Sequence, residues 1–191
     1  MKKLLCLTIA ALTVVACKKE TKDYVTFSGK ITNQNSDSLI IGSNTNRNFQ
    51  KRISVAVDGV FSDTLKVVTG GFYVYDGTES TLIHLKNGQD VHLTLDTKQF
   101  DESIVYSGSG ASANNYLAKK TLDQEAIFAD EALFLMSEKN FASKIETIKS
   151  DFMKNLDEFT GLDTAFIASE KKGFDIYKKS LLIYQKDKVF L

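Results

Sequence analysis

Apolar and polar residues alternate along the first half of the chain, and the period of that pattern changes near residue 110. Val25, Phe27 and Lys30-Ile31 open a strand, and Asn33 to Asp37 is a turn cluster. Leu39-Ile40-Ile41 is a second strand, and Asn44 to Asn48 a loop. Ile53, Val55 and Val57 alternate with Ser54 and Ala56, Asp58-Gly59 signals a tight turn, and Phe61, Ser62 and Leu65 to Val68 resume the sheet. Gly70-Gly71 is expected to interrupt it before Phe72, Val74 and Thr81 to Leu85. Two-residue periodicity bounded by such turns is the signature of half-buried strands.

The stretch around Asn87-Gly88 predicts a hairpin. Ile83 and Leu85 share one face by alternation, as do Val91, Leu93 and Leu95. Both sets face one core only if the loop holds an odd number of residues. Lys86-Asn87-Gly88, with Gly88 left-handed, meets that condition as a type I turn with a bulge. His84 and His92 then share the opposite face, with His84 beside Asp90. Two histidines and one aspartate on one face are candidate metal ligands, but a metal needs three or four that converge, and these residues read instead as the solvated side of the sheet.

Beyond residue 110 apolar residues recur at three and four, the helical period. A first helix opens near Ser112 or Ala113 and continues through Ile127, Phe128 and Leu133 to Leu135, with a break at Asp130. Ser137 is placed to cap a second helix whose stripe is Phe141, Ile145, Ile148, Phe152, Leu156 and Phe159. Gly161 ends it. Asp163 or Thr164 starts a third helix, with Phe166, Phe174, Tyr177, Leu181 and Tyr184 along one side and Gly173 as a weak point. Two amphipathic helices on so short a link fold back on each other. The fold class is therefore α+β: an amino-terminal antiparallel β-sandwich or barrel-like sheet followed by a carboxy-terminal helical hairpin.

The start of the chain carries an address. Met1-Lys2-Lys3 is basic, Leu4 to Ala16 is apolar, and Val14-Val15-Ala16-Cys17 has small residues before the cysteine. That order is the grammar of a bacterial lipoprotein signal peptide. The apolar run is too short to span a bilayer as a helix. The expected organisation is a signal peptide over 1–16, a lipidated tether over 17–23, a β-rich domain over 24–110 and a helical segment over 111–191. Cys17 is the lipid attachment site; the competing reading is an ordinary secreted protein cut near Ala16. By resemblance to known lipoprotein sorting rules, Lys18 in place of Asp leans toward the outer membrane, facing the periplasm, over the inner membrane or cell surface.

Composition narrows the chemistry. The two cysteines are Cys6, inside the apolar run, and Cys17, so processing leaves no free thiol, no disulfide and no thiolate metal site. Lysine plus arginine number 24 against 24 acidic residues, and nothing in that balance points to nucleic acid. Tryptophan and proline are absent. Val105 to Ala111, with Gly108 and Gly110, lacks the Lys-Ser/Thr of a phosphate loop and the third glycine of a dinucleotide site, and reads as a strand-to-helix connection. There is no nucleophile elbow around His84 or His92. Asp96, Asp101 and Glu102 cluster at a strand end, where exposed acids are ordinary. The isolated chain is expected to be no enzyme and to need no cofactor.

Several motifs in order suggest a family. Phe27-Ser28-Gly29-Lys30-Ile31, Val57-Asp58-Gly59-Val60-Phe61 at a hairpin, Lys86 to Val91 at another, and Tyr106 to Gly110 followed by Asn114-Asn115-Tyr116-Leu117 resemble the amino-terminal, non-catalytic domain of envelope TlpA-like thiol–disulfide oxidoreductases. Phe166 to Glu170, with Tyr177 and Tyr184, is similar to the helical segment joining that domain to a thioredoxin domain. The likeness covers residues 24–185. It implies a membrane-anchored accessory domain with a thioredoxin-like protein or domain as partner. The family's redox centre is a Trp-Cys-x-x-Cys in a following thioredoxin fold, and this chain has neither the tryptophan nor the cysteines. Two expectations stay open: a product truncated after the apolar finish Val189-Phe190-Leu191, or a stand-alone relative of the accessory domain. A free-standing lipoprotein binding a ligand or protein through its β-sheet is the alternative.

Overall fold

The computed structural model describes residues 22–189. Cys6, Cys17 and the rest of the signal region lie outside the described residues.

Among the described residues eight strands form two four-stranded sheets. They are β1 (Val25–Thr32), β2 (Ser38–Ser43), β3 (Gln50–Ser54), β4 (Val60–Leu65), β5 (Gly70–Tyr75), β6 (Ser80–Leu85), β7 (Asp90–Asp96) and β8 (Val105–Ser107). One sheet runs β4-β1-β7-β8 and the other β3-β2-β5-β6. Inward residues interdigitate between them: Phe27, Phe61, Leu93 and Tyr106 from one, Leu39, Ile41, Val74 and Ile83 from the other. Gly29 holds an inward position of β1, where the Phe61 ring and the Leu93 carbonyl occupy the space of a side chain. The Phe27 and Phe61 rings lie 5.0 Å apart beside it.

Neighbouring strands are antiparallel except β1 and β7, which run parallel from Thr26↔Asp90 to Thr32↔Asp96. Parallel partners need a long crossover. Here that crossover contains the whole second sheet, residues 33–89.

Three expectations about turns are corrected. The chain does turn at Lys86-Asn87-Gly88, with Gly88 at φ +90° and Gln89 N–H donating to the Lys86 carbonyl at 3.2 Å. Yet β6 and β7 belong to different sheets, so this is a corner between layers and not a hairpin. The turn at Asp58-Gly59 likewise leads from β3 in one sheet to β4 in the other, and Val57 is fully exposed at its tip. An inward-facing set on each side of a turn suits a corner as well as it suits a hairpin, so alternation cannot separate them. Gly70 and Gly71 do not interrupt the sheet; they are the first residues of β5.

The sandwich has two open sides, closed differently. Where β3 and β4 approach, Lys51 Nζ reaches Asp63 at 2.8 Å and the Thr64 carbonyl at 2.9 Å. On the other side a helix meets the edges of β6 and β8. This is α2 (Ala111–Ala129), which follows the short α1 (Phe100–Ser103) and β8. Asn114 Oδ1 accepts the His84 N–H at 2.6 Å, and its Nδ2 donates to the His84 carbonyl at 3.1 Å. Asn115 does the same for Tyr106, at 2.7 and 2.8 Å. Each amide thus supplies the donor and acceptor that a further strand would have offered to an edge residue.

The helical part continues through α3 (Glu131–Phe134), α4 (Glu138–Glu158) and α5 (Thr164–Val189). Asp130 caps α3, and Ser137 caps α4. Gly161, at φ +78°, makes the reversal between α4 and α5, and Asp163 accepts the Phe166 N–H at 2.7 Å to start α5. The expected hairpin is α4–α5. Phe141, Ile145, Ile148 and Phe152 of α4 pack on Phe174 and Leu181 of α5, with Leu133 and Phe134 of α3 closing the group. A smaller cluster, Tyr116, Leu117, Leu156 and Phe166, joins α2, α4 and α5 near the sandwich. Among the described residues no helix is long and apolar enough to cross a membrane.

Candidate functional site

The seam between sandwich and helices leaves a cleft of about 520 Å³. Its floor is the outer face of β5 and β6, where Gly71 and His84 are direct cross-strand partners. One wall is the first turns of α5, from Asp163 to Glu170; another is Leu117 and Lys120 of α2; Asn44 and Thr69 close the loop end.

Two ion pairs fix the walls. Lys86, at the corner after β6, reaches Asp163 Oδ2 at 3.2 Å. The other oxygen of Asp163 caps α5, so one carboxylate ties the helix start to the sheet corner. The backbone N–H of Phe166 is the chief reason its carboxyl stays below the ordinary range, with Lys86 adding to it. Lys120 and Glu170 meet at 2.6 Å with side chains only 16% and 14% exposed. Burial, with the Glu170 charge beside it, pushes the Tyr116 phenol well up. Lys120 also lies 5.8 Å from the Tyr116 ring centre.

His84 is half-buried beneath α5, its ring edge-on to Phe166 at 4.9 Å. Burial lowers its pKa, so the imidazole is neutral at pH 7. Nε2 is sealed from solvent and has no hydrogen-bond partner.

The histidines are therefore not on one face of one sheet. His84 lies on the outside of the second sheet, under α5; His92 lies exposed on the outside of the first, with Nδ1 3.1 Å from Ser28 Oγ. Asp90 is away from His84, paired with Lys22 at 2.9 Å. The acids at the end of β7 have separate partners. Asp96 accepts from Asn33 Nδ2 at 2.7 Å and from the Lys98 N–H at 3.0 Å, which lowers its pKa and caps a 3-10 turn over Thr97–Gln99. Asp101 shares a hydrogen bond with Glu125 of α2; burial first, then the charge of Glu125, raises it to about 6. Cys17 lies outside the described residues. Sequence reasoning missed the cleft itself, because its groups come from β5, β6, α2 and α5; the Gly70-Gly71 pair was its visible trace.

Fold and site together define a two-sheet sandwich closed along one side by a helical bundle, with a small-molecule-sized cleft at the seam. No family model matches the chain. No curated protein matches it at a significant level. A solved DUF3823 family protein from Parabacteroides merdae matches at 18% identity and a TM-score of 0.30, over 39% of this chain and 46% of that one. The matched part is less than half of either chain, and no functional reading follows from so low a score.

Proposed function

We propose that this protein is a lipid-anchored envelope lipoprotein whose folded part is a non-catalytic accessory or binding domain for a thioredoxin-like thiol–disulfide oxidoreductase. The observation that carries the proposal is the placement of the cysteines. Cys17 follows Val14-Val15-Ala16 behind a basic start and an apolar run, and Cys6 lies inside that run. Lipidation of Cys17 uses the thiol that survives processing, so the redox step of a chain resembling part of a disulfide reductase falls to a thioredoxin-like protein or domain. The sandwich begins at Val25, so the lipid holds it within a few residues of the outer membrane surface, facing the periplasm.

The anchor is tested by labelling cells with a palmitate analogue and taking the mass of the amino-terminal peptide. Incorporation that disappears in Cys17→Ala is the expected result; an unmodified amino terminus at residue 17 refutes the anchor. The partner is tested by cross-linking in intact cells, where recovery of thioredoxin-like proteins is expected and their consistent absence counts against the redox association.

A second reading is favoured by the cleft between β5–β6 and α5: a free-standing lipoprotein that binds a ligand or protein through its β-sheet. Persistence of a bound ligand without any redox partner separates it from the first.

A further inference from the structure

From the cleft over Gly71 and His84, we infer a binding site for a neutral saccharide. The inference rests on the reading of the chain as a binding domain, and on neither the lipid nor the redox partner.

Glycine is the first sign. At Gly29 and Gly42 an added Cβ would collide with backbone or ring atoms, and at Gly110 with the Val91 side chain, so those glycines serve the fold. Gly70 and Gly71 differ. Neither has positive φ, a Cβ on Gly70 would meet nothing closer than 3.9 Å, and one on Gly71 only the Asn44 side-chain amide at 3.3 Å. Glycine inside a strand weakens it, and a bulge, a bend or the close approach of a ligand or another backbone is its usual reason. Gly71 is such a glycine, lying in the cleft floor opposite His84.

The second sign is the charge pattern. Lys86 is offset by Asp163 and Lys120 by Glu170, and His84 is neutral. The cleft therefore has no net charge. An anion would meet the two carboxylates, and a cation the two ammonium groups. A hydroxyl suits both, because it accepts from a lysine and donates to the adjacent carboxylate at once. Thr69 and Ser169 add groups able to act in either sense, while the exposed Leu82 offers apolar surface for the C–H faces of a sugar ring. His84 also lines the cleft, and its Nε2 is buried without a hydrogen-bond partner.

The test is a titration of the purified protein with glucose, galactose, N-acetylglucosamine and their β-linked disaccharides, followed by calorimetry and by amide NMR. At least one sugar is expected to give saturable binding and to shift the Gly70, Gly71 and His84 signals together. Gly71→Val fills the floor with a side chain that strands favour, and should weaken binding at least about tenfold with the melting temperature preserved. If Gly71→Val does not fold, Gly71→Ala serves, with a smaller loss expected. The inference is overturned if no sugar moves these signals, if sulfate or succinate binds more tightly than every sugar, or if the folded variants bind like the wild type. The lipidation assay reads Cys17 alone, so failure of the cleft and failure of the anchor are separate results.

Discussion

Asn114 is fully buried and spends its side-chain amide on the edge of β6, where it holds both the N–H and the carbonyl of His84. Asn115 holds Tyr106 in β8 in the same way. Alanine at either position leaves a strand edge with polar backbone groups cut off from protein and poorly reached by water. Each substitution should cost about 1–3 kcal/mol, read from urea unfolding, with Asn114→Ala the larger. Asp101 gives a pH signature. Its folded value of about 6 lies above the ordinary 3.8, so the folded state holds this proton more tightly than the unfolded chain. Stability tied to the protonated form is full below about pH 4 and declines as pH rises through about 6. Asp101→Asn should therefore melt higher than wild type at pH 7, and the difference should vanish below about pH 4. The Asn114-Asn115 pair was visible in the sequence as part of a motif. Its role was not, because which strand edges meet α2 depends on the sheet order.

At the scale of elements, the helices were the more legible part. The stripe from Phe141 to Leu156, the Ser137 cap, the Asp130 break and the start at Asp163 all stand where local pattern puts them. These features depend on contacts within a few residues, and the sequence displays them directly. Gly173 follows the same logic. It sits inside the continuous helix α5, and an added Cβ meets nothing within 4 Å. Gly173→Ala should stabilise by about 0.5–1 kcal/mol, measured as a rise in the urea midpoint without a change in slope. The strands were legible as strands but not as partners. Turns at Asp58-Gly59 and Lys86 to Gly88 were read as hairpins, whereas each carries the chain from one sheet to the other. A turn residue reports local backbone shape; the next strand's partner is chosen by packing far along the chain.

For the whole molecule, the decisive surface is the cluster where Tyr116, Leu117, Leu156 and Phe166 join α2, α4 and α5 beside the sandwich. Leu156 is 2% exposed there. Leu156→Ala should cost about 2–5 kcal/mol, and hydrogen exchange should show α4 and α5 losing protection while β1 and β7 keep theirs. Equal loss in both parts would mean that they unfold as one unit. By itself the sequence determined the α+β class, the change from strand to helix near residue 110, the inward residues of β6 and β7 and the Ser137 cap of α4. All of these follow from periodicity and neighbour chemistry, which act over a few residues. Only the tertiary structure decided the parallel pairing of β1 with β7, the split of His84 and His92 onto opposite outer faces, the two asparagine clips and the cleft above Gly71. Those depend on which distant segments pack together, and many pairings satisfy the same alternation. The sandwich settles on the one that buries both inward faces and lets α2 satisfy the two edges left over.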